Sequence, residues 1–302
     1  MKTARILSLV IAGVVGLWSS AAWADSLCPE RSKQAAADAQ VKRAEDLERA
    51  GKAREAYGAA EKADPDCVSD SQRYDALKKR AARAVGADEE KKSRFKEAFD
   101  WYERAQSTAD AGRMQRKLVE TTPDDINTVS HAIDFFARQQ DVEQEKALRA
   151  HALKNVDKAL AEEEVQFASV TKDSLQQLGL ARDWSSYANA GADRVRARAA
   201  KRGDALAVED GRKFLSLALK YYNAAGQPDK EQKVREKARG LAKKHESKGE
   251  GEVAAEYYAI AGDSGKANAV QKQTEARDQK AEESRQKSFK KEQGDLEKAL
   301  GF

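Results

Sequence analysis

An aromatic ring with alanine four residues before it and three after it recurs along this chain. Ala98, Tyr102 and Ala105 form one triplet, Ala218, Tyr222 and Ala225 a second, and Ala254, Tyr258 and Ala261 a third. Residues at i, i+4 and i+7 share one stripe of an α-helix, and small side chains on either side of a bulky one let a neighbouring helix come close around a filled middle. Weaker copies are Ala56, Ala60 and Ala63, without a ring; Ala132, Phe136 and Gln139, without the last alanine; and Asp183, Tyr187 and Ala190, without the first. The steps between successive middle residues are 42, 34, 51, 35 and 36. A helical hairpin with its turns needs about 34 residues, so this spacing predicts stacked hairpins.

Composition agrees. Only four prolines occur, at 29, 65, 123 and 228, and alanine, lysine, glutamate, arginine and glutamine fill most of the chain. These are strong helix formers, and no alternating β-branched run of strand type accompanies them. The chain is therefore expected to be all-α, with a modest apolar content that suits an elongated stack in which each hairpin touches its neighbours.

The Ala, aromatic, Ala spacing resembles the second helix of the tetratricopeptide repeat. The stretch "AGKAREAYGAAEKADP" from Ala50 to Pro65 has a Gly before that helix and a Pro after it, and "ESKGEGEVAAEYYAIAG" from Glu246 to Gly262 repeats the Gly opening. Ala190-Gly191, Ala225-Gly226 and Ala261-Gly262 share an exit that suits a left-handed C-cap. Most units lack the first-helix Trp, Leu and Gly signature and the closing Pro, and the 42 and 51 steps imply inserted helix around residues 65–90 and 141–180. The resemblance covers residues 30–265 and implies a tetratricopeptide-like α-solenoid, taken as a domain over residues 25–265, whose guests are peptides or helices.

The first 24 residues read as a secretory signal peptide. Lys2 and Arg5 precede an apolar run from Ile6 to Trp18, and Ala22 and Ala24 form a cleavage motif, so cleavage after Ala24 and a periplasmic or secreted product are expected. A lipoprotein signal would need Leu three residues before Cys28 and a small residue before it, but Asp25 and Leu27 stand there. No later stretch approaches a membrane-spanning length of apolar residues, so no stable membrane anchor is expected. Without Lys2 and Arg5 the chain holds 53 basic and 51 acidic side chains, interleaved throughout. That balance gives no basic excess for nucleic acid.

Cys28 and Cys67 are the only cysteines. A helix from about Glu30 to Ala50, a turn at Gly51 and a helix ending near Ala63 separate them. The outward and return paths are roughly 34 and 31 Å at helical and extended rises, so antiparallel helices bring the sulfurs together. No histidine lies near either, which favours a structural disulfide over a metal site or a reactive thiol.

Four units carry a second aromatic just before the first: Trp101, Phe135, Tyr221 and Tyr257. Adjacent residues lie about 100° apart around a helix, so these rings either pack between repeats or face a partner. Met114 and Trp184 read as core. Residues 266–302 are expected to form a charged helix that caps the last hairpin with its first turns or protrudes into solvent, with a sparse apolar set that includes Phe289, Leu296, Leu300 and Phe302.

Signatures of chemistry are missing. His131, His151 and His245 are dispersed, without a His-Glu-x-x-His motif, so no metal is expected. No Cys-x-x-Cys-His, phosphate loop or Gly-x-Ser-x-Gly occurs, and no cofactor is expected. Runs such as Glu162 to Glu164 are background in a chain this charged, and Asp124-Asp125 after Pro123 reads as a helix start. Some wall-lytic enzymes carry helical superhelices, but they append a compact catalytic domain for which no room remains. The expectation is a non-enzymatic scaffold or adaptor of the cell envelope with a protein or peptide partner. The alternative is a binding or sensing module for cell-wall glycan that stacks sugars on Trp101, Tyr221 and Tyr257.

Overall fold

The computed structural model describes residues 28, 30–168 and 173–299. The expected signal peptide over residues 1–24 lies outside the described residues, as do Leu300 and Phe302. Among the described residues the chain is all-helical. Its helices are α1 (Arg31–Arg49), α2 (Ala53–Ala60), α3 (Ser71–Lys91), α4 (Phe95–Arg104), α5 (Thr108–Thr121), α6 (Ile126–Arg138), α7 (Val142–Ala168), α8 (Asp173–Ser185), α9 (Gly191–Ala207), α10 (Arg212–Ala225), α11 (Pro228–Ser247), α12 (Gly251–Ile260) and α13 (Ser264–Ala299). No described helix is long and apolar enough to cross a membrane. Helices α3 and α7, of 21 and 27 residues, run through the stretches around residues 65–90 and 141–180.

Two compact units divide the chain, one up to Gln115 and one from Arg116. In each, helices pack on their chain neighbours and on the next but one: α1 also reaches α3, α7 reaches α9, and α10 reaches α12. The helix ends follow local chemistry. Asp125 caps α6 by accepting from the backbone N–H groups of Asn127 and Thr128, as its position after Pro123 suggests. Pro228 opens α11, where its missing N–H costs nothing.

Four of the turns share one geometry. Gln106, Gln140, Gly226 and Gly262, each four residues after a central ring, have positive φ. One residue further on, the N–H groups of Ser107, Asp141, Gln227 and Asp263 donate to the carbonyls of Tyr102, Phe136, Tyr222 and Tyr258 at 2.9 to 3.0 Å. This six-to-one bond is the Schellman arrangement.

The Ala, ring, Ala stripes are interior: Ala98, Tyr102, Ala105, Ala132, Phe136, Ala218, Tyr222, Ala225, Ala254, Tyr258 and Ala261 are all buried, as are Ala56, Ala60 and Ala63. The Asp183, Tyr187, Ala190 copy is different. Helix α8 ends at Ser185, Tyr187 is half-buried in the turn, and Ala190 itself has φ of 60° and caps α9. The buried set there is Leu178, Ala181, Trp184 and Ala188, so Trp184 supplies the ring and Ala190-Gly191 is not a helix exit like the other two.

Cys28 and Cys67 form a disulfide, with Cα atoms 4.7 Å apart. It lies against a core of Ala37, Val41 and Ala44 from α1, Ala59 and Ala60 from α2, and Tyr74 and Leu77 from α3. Met114 is fully buried. Helix α13 packs on α12 through Ala267, Val270 and Thr274, and none of its described residues beyond Thr274 is buried. Farther along α13 the apolar Phe289 and Leu296 are exposed.

Candidate functional site

The three full stripes share a polar arrangement around the tyrosine hydroxyl. Tyr102 on α4 donates to Glu90 on α3 at 3.0 Å, Tyr222 on α10 donates to Asp204 on α9 at 2.8 Å, and Tyr258 on α12 donates to Glu246 on α11 at 2.6 Å. A base from the following helix completes each group. Arg113 of α5 pairs with Glu90 and sits over the Tyr102 ring, Lys230 of α11 pairs with Asp204 over Tyr222, and Lys266 of α13 pairs with Glu246 over Tyr258. Each clasp thus ties a hairpin to the next helix. Its hydroxyl is satisfied at the end of a buried ring, while the charged pair beside it stays partly open to water.

The electrostatics fit a fastening role. Burial and the adjoining carboxylate push Tyr222 above the ordinary tyrosine range, which removes it as a proton donor near neutral pH. Lys230 and then Tyr222 hold Asp204 below its usual value, and Tyr258 does the same for Glu246. Carboxylates depressed in the folded state stabilise it fully above their unfolded value of about 4, and that contribution is lost as pH falls through the lower folded values. Melting temperature should therefore drop as pH is taken from about 6 to about 3, and Asp204→Asn should shallow that slope, as scanning calorimetry across the range will read.

Two glycines give two of the three clasps their room. A Cβ on Gly203 of α9 would stand 2.6 Å from Tyr222 Cδ1, and one on Gly86 of α3 would stand 2.9 Å from Tyr102 Cδ1. A bare Cα leaves these two helices room for the rings. Gly203→Ala should cost about 1 to 3 kcal/mol by overpacking, despite the helix propensity of alanine. Gly240→Ala on α11, with nothing within 4 Å of the added carbon, should gain about 0.5 to 1 kcal/mol. Denaturant unfolding of the two variants measures the difference.

A second polar cluster is interior. Glu163 of α7 is fully buried. Arg202 of α9 donates to it at 3.1 and 3.3 Å, and Arg198 at 3.0 Å. Tyr221 Oη of α10 lies 3.1 Å from Glu163 and 2.8 Å from Ser174 Oγ on α8. The Arg202 guanidinium lies 3.9 Å over the Phe167 ring. Four helices meet at one carboxylate whose charge the two arginines compensate, and burial drives Tyr221 far above the usual tyrosine range. In the first unit Glu89 is similar: Arg54, Lys92 and Arg94 surround it at 2.9, 3.1 and 3.3 Å.

The doubled rings resolve toward packing. Tyr221 belongs to the Glu163 cluster. Tyr257 is buried, donates to the Asp210 carbonyl at 2.7 Å and stacks on His245. Phe135 is buried edge-on against Phe136. Trp101 alone of the four is half-buried, edge-on to Tyr57 and between Arg54 and Arg104 at 5.2 and 4.6 Å. The glycan alternative thus loses Tyr221 and Tyr257 as stacking surfaces, because neither presents a face to solvent.

His151 Nε2 lies 2.7 Å from the Pro123 carbonyl and His245 pairs with Glu250. Among the described residues no group of His, Cys, Asp or Glu could hold a metal ion. Grooves do exist. One of about 380 Å³ runs between α12 and α13, with Ala255, Ala259 and Ala267 in its wall and Glu252, Glu256, Glu275 and Asp278 at its rim. Another of about 460 Å³, between α7 and α9, is lined by Asp157, Leu160, Arg194, Arg198 and Lys201, and its Arg194 and Arg198 are already ion-paired to Asp157, Glu163 and Glu164.

No protein-family model, no curated protein and no solved structure matches the chain.

Proposed function

We propose that this chain is an exported, non-enzymatic interaction scaffold of the cell envelope, built as a tetratricopeptide-like stack of hairpins. The observation that carries this reading is the clasp repeated at Tyr102, Tyr222 and Tyr258. Each one spends its reactive-looking side chains on joining one hairpin to the next helix. What is left facing water is a charged helical surface with shallow grooves, which suits a protein or peptide partner. The disulfide agrees with an oxidising compartment. No cofactor or metal enters this reading.

The test is affinity capture with the full-length mature chain from envelope extract. Recovery of a discrete protein partner, released by salt, supports the scaffold. Recovery of no protein, together with tight binding of a small metabolite, overturns it. Sedimentation with isolated peptidoglycan should leave the chain in the supernatant; pelleting would favour the glycan reading instead.

A further inference from the structure

Rings and bases interleave where α2, α3 and α4 meet in the first unit. Lys78 Nζ of α3 lies 5.4 Å from the Tyr74 ring centre and 5.7 Å from that of Tyr57 on α2. Tyr57 meets Trp101 of α4 edge-on at 5.0 Å, and Arg54 and Arg104 flank the indole at 5.2 and 4.6 Å. Tyr57 and Tyr74 are buried, whereas Trp101 and Lys78 are half-buried and both arginines are exposed. A ring that replaces part of a cation's hydration shell also holds the cation in place for an anion. The ladder thus presents positive charge that needs little further ordering.

Its bases are short of acids. Among the described residues neither Lys78 nor Arg104 has a carboxylate within 4 Å. Next to them Arg54, Lys92 and Arg94 share the one buried carboxylate of Glu89, and their side chains stay 62, 55 and 61% exposed. Glu61 lies beside the Tyr57 hydroxyl. Within this set, bases at five positions face carboxylates at two. Gly58 shares the Arg54 stripe of α2, and nothing lies within 4 Å of a Cβ added there, so no part of the chain stands over that stripe.

We propose that this patch binds an acidic peptide segment of a partner protein, with its carboxylates on Lys78, Arg104 and Arg54 and an apolar side chain against the exposed part of Trp101. The inference rests on the scaffold reading and gives the partner a chemistry. Guanidinium groups held against a ring take carboxylates in bidentate fashion. Glu61 and Glu89 interrupt the positive surface, so a polyanion charged at every unit meets repulsion that spaced carboxylates avoid.

From Asp25 onward the chain has two tryptophans, Trp101 and the buried Trp184, so emission reports on the patch. Titrating the mature chain with a blocked peptide of alternating glutamate and alanine should change that emission saturably, with a Kd of about 100 μM or tighter at low salt. In Trp101→Phe the emission change should vanish while calorimetry still detects binding. Arg104→Glu and Lys78→Glu should each weaken binding about 10-fold without altering the circular dichroism spectrum. Lys290→Glu on α13 should leave it unchanged. No saturable change up to about 1 mM peptide, equal weakening by Lys290→Glu, or tighter binding of inorganic polyphosphate to the same patch would overturn the proposal. A peptide that fails to bind, beside an envelope partner captured equally by the native chain and the Arg104→Glu, Lys78→Glu double variant, would overturn the patch and keep the scaffold. Peptide binding with the expected losses, beside an extract that yields no partner, would support the patch and overturn the scaffold.

Discussion

Glu163→Gln should lower the free energy of unfolding by about 3 kcal/mol or more. The side chain keeps its shape but loses its charge. Arg202, itself buried, then retains only Glu164, whose side chain is 56% exposed, at 2.9 Å. Removing one member of a buried pair leaves the other desolvated without compensation, and that penalty exceeds what the intact pair contributes. The double variant Glu163→Met with Arg202→Leu is expected to recover most of the loss, since no charge is then stranded. Urea unfolding monitored by far-UV circular dichroism measures both. Equal losses in the single and double variants would show that packing around Phe167, rather than charge, dominates this cluster.

Cys67→Ser should destabilise the unit that carries it by about 4 kcal/mol, the chain-entropy value for a loop of this size. The separation is 39 residues, and it spans α1 and α2, whose shared core consists largely of alanine. A core of methyl groups supplies little burial per residue, so a constraint on the unfolded chain has more to offset. Reductant should reproduce most of the effect on the native chain and none on the variant. Thermal melts with and without reductant make that comparison, and a variant as stable as the native chain would assign the stability of the first hairpins to packing alone.

How much was legible in the sequence depended on whether the signal was local. The all-α class, the Asp125 cap, the disulfide pair and the interior stripes of α4, α10 and α12 all follow from periodicity or chain length between two points. The clasps did not emerge, because Glu90 and Tyr102 are 12 residues apart while Asp204 and Tyr222 are 18 apart, so no fixed spacing marks the acid. Gly86 and Gly203 escaped for a related reason: their meaning lies in the ring of another helix. Glu163 did leave a trace, since it occupies the same stripe as Ala152, Val156 and Ala159. A charge in an apolar stripe signals a buried partner, yet within the run from Glu162 to Glu164 it looked like background. At α8 the search for a ring three residues before an alanine selected Tyr187, whereas burial selected Trp184.

Because every clasp straddles the boundary between one hairpin and its successor, the portable cassette of this molecule is not the hairpin. Excising residues between two turns would sever a tyrosine and its acid from their cation. Gene duplication, loop grafting or the design of longer and shorter versions would preserve the fastening only with junctions placed inside helices, downstream of the base and upstream of the next acid.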